Sequence, residues 1–338
     1  MVCKPAAIVA LAALLAVTAC SGPSPQQPAE RSATEADADG AFTATAATGR
    51  LNAETARDSA LTDDEDWTLV RRGFVARDDG LDIRDADGRP IWRPADYDFL
   101  DADDAPDTVH PSLWRQARLN AEYGLYEVVP GIYQVRGYDL ANMSIVEGET
   151  GRIVIDPLTS VETAQAALAL VERELGPRPV SAVILTHSHI DHFGGVEAIE
   201  GALGEGPVPV IAPAGFLEEA VSENVMAGVV MARRAGYMYG THLPRTARGH
   251  VGSGLGKHPA LGRHTIAEPD IIIDHTGQML EIDGVRMEFQ YAPDTEAPAE
   301  LTVFFPDFQA WCGAELVSRN LHNLYTLRGA QVRDALAW

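Results

Sequence analysis

The stretch LTHSHIDHFGG, residues 185–195, concentrates side chains that bind metal ions. It places three imidazoles and one carboxylate, those of His187, His189, Asp191 and His192, within six positions. In an extended segment, side chains two residues apart project to the same side, so His187 and His189 can hold one metal ion together. A turn into a helix at Asp191 aims that carboxylate and His192 toward a second position nearby. The spacing therefore predicts a site for two adjacent metal ions.

Imidazole and carboxylate ligands suit zinc, and iron and manganese are alternatives. Two adjacent metal ions can activate one bridging hydroxide, which is the chemistry of a metal-dependent hydrolase. A single buried histidine is more often a satisfied core residue than a ligand. Four liganding groups in six residues make a poor core sequence, however, so we expect metal binding.

The segments before this stretch predict strands and a helix. LYEVVPGIYQVRGYD predicts two strands broken at Pro130 and Gly131, and NMSIVEGETGRIVIDP predicts a hairpin that turns at residues 148–151. VETAQAALALVEREL predicts a helix that Ser160 caps and Gly176 ends. One face of this helix is predicted to carry Val161, Ala164, Leu168, Val171 and Leu175.

The metal-binding stretch itself lies between a strand and a helix in this pattern. VSAVILTH and VPVIAP predict buried strands, and GGVEAIEGAL between them predicts a helix. Strands that alternate with helices are typical of a layered α/β domain. Loops that follow the strands of such domains are where ligands are normally found.

The overall charge excludes one class of partner. The formal net charge is −23, so we expect no nucleic acid as a partner because a polyanion would be repelled. Small anionic substrates are not excluded, since a local metal centre can hold them against the overall field.

Residues 1–20 have the pattern of a targeting segment. Lys4 precedes the apolar run AAIVALAALLAV, which is shorter than the roughly 20 residues needed to span a bilayer. Small residues lead to Cys20, and this arrangement resembles the lipobox of a bacterial lipoprotein. The resemblance implies lipidation of Cys20 and a periplasmic protein that is anchored to the outer membrane by lipid only. An ordinary signal peptide is the alternative. With Cys3 removed and Cys20 acylated, Cys312 is left alone, so we expect no intramolecular disulfide.

Composition divides the rest of the chain into three parts. Residues 21–50 are rich in Pro, Ser, Ala, Thr and acidic residues, and they predict a disordered tether. Residues 51–125 predict an N-terminal region that wraps its isolated aromatic side chains onto the main domain. Residues 126–338 predict the catalytic domain.

The H-x-H-x-D-H run resembles the metallo-β-lactamase superfamily, whose fold is an αββα sandwich with a dinuclear site at the sheet edges. Further segments resemble the alkyl sulfatases of that superfamily, enzymes that hydrolyse alkyl sulfate esters such as dodecyl sulfate. These segments include TVHPSLWRQARLN, SENVMAGVVMARRAGYMYG, GHVGSGLGK, APDTEAPAEL and LHNLYTLRGAQVRDAL. The resemblance implies an αββα sandwich that hydrolyses alkyl sulfates to alcohol and inorganic sulfate with two zinc ions per chain.

The resemblance also implies two glutamate ligands. Glu296, in DTEAPAE, matches the ligand that joins His187 and His189 on the first metal ion. Glu315, in WCGAEL, matches the carboxylate that bridges both metal ions. Glu300 is a near neighbour that could be mistaken for Glu296.

For the second metal ion, the resemblance implies Asp191, His192 and Glu315, with a further histidine from an HHWP-like segment. In the family this segment follows the R-G-A-Q-V-R-D run, and the sequence ends at Trp338 before it. The family's helical dimerisation domain and sterol-carrier-like domain also follow that point. We therefore expect a C-terminally truncated sandwich whose second metal site lacks its last histidine.

A sulfate ester favours a planar cation with several donors, and Arg328, in TLRGAQ, is the main candidate for this clamp. A structural ion pair is the alternative role for Arg328. We expect Asp191 and Arg328 to act in catalysis. Weaker candidates for the substrate pocket are Asn224, His322, Asn323 and Tyr325.

Two alternative functions remain open at this point. The chain is an inactive metal-binding lipoprotein fragment in the first alternative. In the second it is another hydrolase of the same superfamily, such as a lactonase or a thioesterase. Such a hydrolase would share the first metal ligands but need not contain the ENVMAGVVMARRA and HNLYTLRGAQVRD segments.

Overall fold

The computed structural model describes residues 41–58, 61–204, 206–318 and 324–338. The predicted signal segment with Cys20, residues 21–40 of the predicted tether, His322 and Asn323 lie outside the described residues. Within the described ranges, no helix is long and apolar enough to cross a lipid bilayer.

Helices and strands alternate along the described chain as follows. The α-helices are α1 (Ala46–Thr55), α2 (Glu65–Arg71), α3 (Pro111–Leu119), α4 (Val161–Leu175), α5 (Ile190–Phe193), α6 (Phe216–Val221) and α7 (Gly228–Met238). The first strands are β1 (Phe74–Ala76), β2 (Ile83–Arg84), β3 (Pro90–Trp92), β4 (Gly124–Val129), β5 (Ile132–Arg136), β6 (Met143–Glu147) and β7 (Arg152–Ile155). The remaining strands are β8 (Val180–Ile184), β9 (Val210–Pro213), β10 (Ile271–Ile273), β11 (Gln278–Ile282), β12 (Val285–Tyr291), β13 (Leu301–Phe305) and β14 (Ala310–Cys312).

Most of the strands form two sheets. The larger sheet has the order β1-β4-β5-β6-β7-β8-β9-β10, and β7 to β10 run parallel to one another. The smaller sheet has the order β11-β12-β13-β14 and is antiparallel. Strand β1 pairs with β4, so the larger sheet takes in part of the predicted wrapping region, and β4 spans the predicted boundary at residue 126.

A shared apolar layer joins the two sheets. Strand β12 alternates buried Val285, Met287 and Phe289 with exposed residues, because successive side chains of a strand point to opposite faces. The buried side chains pack with residues of the larger sheet, including Ile153 and Ile184. This is the face-to-face sandwich that the resemblance implies.

Helix α4 covers the outer face of the larger sheet and confirms the predicted cap. The Ser160 side chain accepts a hydrogen bond from the backbone N–H of Thr163 at 3.2 Å. The predicted buried face is only partly right, since Leu168 is half-buried while Leu170 is fully buried. Small side chains such as Ala167 allow that side of the helix to approach the sheet closely.

The structure differs from the sequence prediction in two places. Helix α1 begins at Ala46, inside the predicted tether, because Thr45 caps it by accepting a hydrogen bond from Thr48 N at 3.2 Å. The segment GGVEAIEGAL forms only a 3₁₀ turn, Val196–Ala198, instead of a helix. Gly194 and Gly195 lie so close to a neighbouring loop that an added Cβ would stand 2.1 Å from a backbone oxygen, which constrains this backbone against the loop.

Asp283, in the turn between β11 and β12, ties the smaller sheet to the larger one. Its carboxylate accepts hydrogen bonds from Thr150 N at 2.9 Å, Gly151 N at 2.6 Å and Ser181 Oγ at 2.8 Å. Burial raises the pKa of Asp283, but hydrogen bonds from these residues outweigh burial and lower the pKa to about 2. The ionised carboxylate is therefore the form that joins the sheets.

We predict that Asp283→Asn lowers the free energy of unfolding at pH 7 by about 1 kcal/mol, since the site is near the surface. The folded-state pKa is depressed, so the stabilisation is present above the ordinary pKa of 3.8 and is lost as pH falls through about 2. Urea unfolding of both proteins should show that the difference in their free energies of unfolding becomes smaller below pH 4. Glu288→Gln, on the exposed face of β12, is the control, and a pH-independent difference for Asp283→Asn would contradict the prediction.

Candidate metal centre

The predicted ligands meet at one edge of the sandwich. The 187–192 stretch follows β8, while Glu296 and Glu315 lie in the segments that follow β12 and β14. Strands β12 and β14 both run antiparallel to β13, so the segments after them begin at the same edge of the smaller sheet. A bridge between His187 and Glu300 joins this edge to the larger sheet.

One group of ligand atoms surrounds Glu296. His189 Nδ1 lies 3.0 Å and His187 Nε2 lies 3.4 Å from Glu296 Oε2. Glu315 Oε2 lies 3.7 Å from His187 Nε2, and the four residues offer ligand atoms within 4.8 Å of one another. Tetrahedral ligands at about 2.1 Å from zinc stand roughly 3.4 Å apart. These separations therefore fit a single metal ion.

A second group surrounds His192. Its Nε2 lies 3.5 Å from Asp191 Oδ2 and 3.8 Å from Glu315 Oε2. These three residues also offer ligand atoms within 4.8 Å of one another. Glu315 belongs to both groups, which is the position that a carboxylate bridging two metal ions would occupy.

The orientation of His192 fits a metal ligand. Its Nδ1 lies 2.8 Å from Asp156 Oδ2, and Asp156 also accepts hydrogen bonds from the backbone and hydroxyl of Thr186 at 2.9 and 2.7 Å. The buried Nε2 makes no hydrogen bond within the part of the chain that the structure describes. An imidazole that is held through one nitrogen by a carboxylate typically presents the other nitrogen to a metal ion.

The carboxylates at this edge of the sandwich favour the binding of a cation. Burial lowers the pKa of His192, but the carboxylates of Asp191, Asp156 and Glu315 outweigh burial and raise it well above its ordinary value. Burial, together with the charge of Glu296, raises the pKa of Glu315. The carboxylates thus repel one another and attract positive charge, which divalent metal ions would supply.

The ligand groups open into a cavity of about 550 Å³. Arg328 lines this cavity, donates to Glu223 Oε2 at 2.9 Å and lies 3.3 Å from His189 Nε2. Arg328 therefore forms an ion pair, which is the alternative role predicted for it, and it also lines the cavity next to His189. Asn224 lines the cavity as well, and its amide donates to Ala220 O at 2.8 Å.

The remaining pocket candidates differ in position. The side chain of Tyr325 is 57% exposed and is not part of the cavity lining in this structure, so its role as a pocket residue stays a prediction. Its neighbour Thr326 is buried and lines the cavity instead. His322 and Asn323 lie outside the described residues.

Sequence reasoning missed three residues of the site. Asp156 holds His192, Glu223 holds Arg328, and Arg333 donates to Glu296 Oε1 at 3.1 Å. Asp156 ends the predicted strand RIVID, so its position after a parallel strand was a usable signal. Arg333 and Glu223 lie far from their partners in sequence, and no local pattern indicates those contacts.

We predict that Asp156→Asn weakens binding of the metal ion at His192 by about 10- to 100-fold, because the amide holds the imidazole less firmly. Competition titration with a chromophoric chelator measures the affinity for this metal ion. The matched control is Asp270→Asn, which changes a carboxylate that accepts from Val210 N at 2.8 Å. Equal metal affinities of the two variants would contradict the role of Asp156.

A second prediction follows from the shared carboxylate. Glu315→Gln should weaken both bound metal equivalents, whereas Glu296→Gln should weaken only one, because Glu296 belongs to one ligand group and Glu315 to both. Metal content after dialysis and calorimetric titration would measure the two equivalents. Identical metal-binding curves for the two variants would show that Glu315 is not shared.

Comparison with known proteins agrees with this geometry. Residues 136–281 match the family model of the metallo-beta-lactamase superfamily. A linear primary-alkylsulfatase from Pseudomonas sp. is 48% identical over 298 residues, which is 87% of this chain and 44% of that protein. The alkyl/aryl-sulfatase BDS1 from Saccharomyces cerevisiae is 42% identical over 291 residues, covering 86% of this chain and 45% of that protein.

A solved structure gives the same result for the fold. The stereoselective inverting sec-alkylsulfatase Pisa1 from Pseudomonas sp. superimposes with a TM-score of 0.84 at 44% identity, over 88% of this chain and 47% of that one. The chain spans a little under half the length of the relatives it matches. The identity and the shared fold extend over most of this chain. Over the aligned region, the chain is similar to alkylsulfatases, and residues 136–281 match the metallo-beta-lactamase superfamily.

Proposed function

We propose that this chain hydrolyses alkyl sulfate esters to an alcohol and inorganic sulfate, with zinc ions held by the two ligand groups. The observation that carries the proposal is that members of both ligand groups line one cavity together with many apolar side chains. The similarity to proteins named as alkylsulfatases supports the same substrate class.

The cavity suits a molecule with a charged head and an apolar tail. Its apolar lining includes Leu140, Ile190, Met231, Ala235, Leu243 and Leu255. Burial of an alkyl chain contributes about 0.8 kcal/mol for each methylene group, so such a lining can bind the tail of a surfactant. The sulfate would then lie at the end that carries the metal ligands.

The side chains beside the metal ligands have different roles in the proposed reaction. Zinc ions bound here would supply a nucleophile at neutral pH by lowering the pKa of water to about 7. Arg328 is placed to donate hydrogen bonds to the sulfate oxygens through its planar fork, and Glu223 orients that fork. The Asp191 carboxylate lines the same cavity and can accept a proton from an attacking water.

We predict that the metal-loaded chain releases sulfate from dodecyl sulfate and that a chelator abolishes this release. Ion chromatography of the reaction mixture would measure the product. Phenyl acetate and a lactone serve as ester probes for the other hydrolases of the superfamily. The chain should hydrolyse both more slowly than dodecyl sulfate. Absence of sulfate release from protein that holds two metal equivalents would contradict the proposed function.

Arg328→Lys should lower kcat/KM for dodecyl sulfate roughly 100-fold, because an ammonium group keeps the charge but loses the bidentate donors. Steady-state kinetics would measure the change. Arg233→Lys is the matched control, since Arg233 is exposed and does not line the cavity. Equal kcat/KM values for the two variants would exclude a sulfate-binding role for Arg328.

A further inference from the structure

Helix α7 and the turn before it carry an exposed apolar surface. Tyr237 is 86% exposed and Val229 is 76% exposed, and Met226 in the preceding turn is 82% exposed. Val230, Arg233 and Tyr237 follow one another at steps of three or four residues, so they lie on one side of the helix. Exposed apolar clusters of this kind mark interaction surfaces. We call this surface the α7 face, and it consists of Val225, Met226, Val229, Val230, Arg233 and Tyr237.

The same helix forms part of the cavity wall. Met231, Ala235 and Tyr239 lie on the other side of α7 and line the cavity that contains the metal ligands. Leu243 and Leu261 line the cavity as well, and both are exposed, so they lie at its mouth. A single helix therefore separates the α7 face from the proposed binding site of the alkyl chain.

The segment that builds this wall differs in charge from the rest of the chain. Residues 224–267 contain no Asp or Glu, although the chain has 49 acidic residues and a formal net charge of −23. The basic residues of this segment are Arg233, Arg234, Arg245, Arg248, Lys257 and Arg263. Lys257 is buried, whereas the arginines reach the surface. The cavity wall is therefore a basic segment within an acidic protein.

Two of these arginines are available to an external anion. Arg245, Arg248 and Arg263 form ion pairs with acidic residues of other segments. Arg233 and Arg234 are exposed, and neither forms an ion pair among the residues that the structure describes. The α7 face and its border thus combine apolar side chains with guanidinium groups. A helix of this composition binds the surface of anionic amphiphile aggregates, because the apolar side chains enter the aggregate while the cations meet its head groups.

We infer that the α7 face binds the surface of alkyl sulfate micelles, so that the chain takes its substrate from the aggregated form. The inference rests on the proposed function, because it takes alkyl sulfates as the substrate. The anionic head groups of the micelle match Arg233 and Arg234, whereas the acidic remainder of the chain is repelled by them. Attraction on one side and repulsion on the others turn the cavity mouth toward the micelle.

The test measures binding apart from turnover and uses mild micelles. The zinc-loaded full chain is titrated with dodecyl maltoside micelles that contain a minor fraction of hexadecane-1-sulfonate, a non-hydrolysable anionic amphiphile. Dodecyl maltoside micelles without the sulfonate are the neutral reference, and analytical ultracentrifugation measures the bound fraction. The chain should bind the anionic micelles roughly fivefold more tightly, which is the factor that one cation contributes near an anionic surface.

Two variants of the α7 face test its composition. Met226→Ser/Val229→Ser removes apolar contact and Arg233→Glu reverses a charge, so each should weaken binding of the anionic micelles roughly tenfold. Met279→Ser on β11 and Arg72→Glu after α2 change exposed residues elsewhere, and these matched controls should bind like wild type. None of the substituted residues lines the cavity, so sulfate release from dodecyl sulfate below its critical micelle concentration should not change. Far-UV circular dichroism verifies folding.

Three results would overturn the inference. The first is equal binding of the anionic micelles by wild type and both α7 variants. The second is equal affinity of wild type for anionic and neutral micelles. The third is a wild-type dimer, measured by light scattering, that Met226→Ser/Val229→Ser converts to monomers, because the α7 face would then belong to a second copy of the chain. Binding that the α7 variants lose and the controls keep would support the inference.

Failure of the proposed function gives a different result. If the anionic micelles bind through the α7 face but no sulfate is released from monomeric dodecyl sulfate, the proposed function fails while the docking surface stands. If sulfate is released from monomeric dodecyl sulfate but the anionic micelles do not bind, the docking surface alone fails.

Discussion

Mutual repulsion among buried carboxylates is the constraint on which the rest of this structure depends. Glu296, Glu300 and Glu315 approach one another at one edge of the sandwich, where burial and neighbouring charge raise the pKa of Glu300 to about 7 and also raise that of Glu315. Arg333 compensates part of this charge through its contact with Glu296. Charges buried without compensation cost several kcal/mol each, so these carboxylates either take up protons, as their raised pKa values indicate, or are compensated by cations nearby. Divalent metal ions in the two ligand groups would provide that compensation.

The scaffold holds this charged edge in place through buried polar contacts. Asp156 connects the end of β7 to His192 and to the backbone of Thr186. Asp139, which is fully buried, accepts hydrogen bonds from Leu140 N at 2.7 Å and Ala260 N at 3.0 Å, and so fixes two segments next to the cavity. Networks of this kind keep side chains within the small tolerances that a metal site requires. The site is therefore a property of both sheets and the loops between them.

Much of the fold follows from local sequence patterns. The hairpins around β4 to β7 and the cap of α4 are visible in short segments, because they depend on turn residues and periodicity. The 187–192 stretch likewise reveals its ligands, since all of them come from one loop. The segment after Gly195 does not form its predicted helix, because contacts with a distant loop decide its backbone.

The site residues that the sequence alone does not identify depend on long-range contacts. The glutamates Glu296 and Glu315 were assigned by family resemblance, since neither lies in a short motif that identifies it as a metal ligand. Arg333 and Glu223 were missed because their partners lie 37 and 105 residues away, at Glu296 and Arg328. Exposure of Tyr325 likewise depends on how the segment around Arg328 lies across the cavity. Only the folded chain shows which polar residues face one another.

The central claim is that two ligand groups hold two metal ions through a shared glutamate. Its most direct measurement is a crystal structure of the zinc-loaded chain, with anomalous diffraction recorded on both sides of the zinc absorption edge. We predict two zinc peaks on either side of the Glu315 carboxylate, one beside His187, His189 and Glu296 and the other beside Asp191 and His192. A single peak, or peaks that do not contact Glu315, would contradict it.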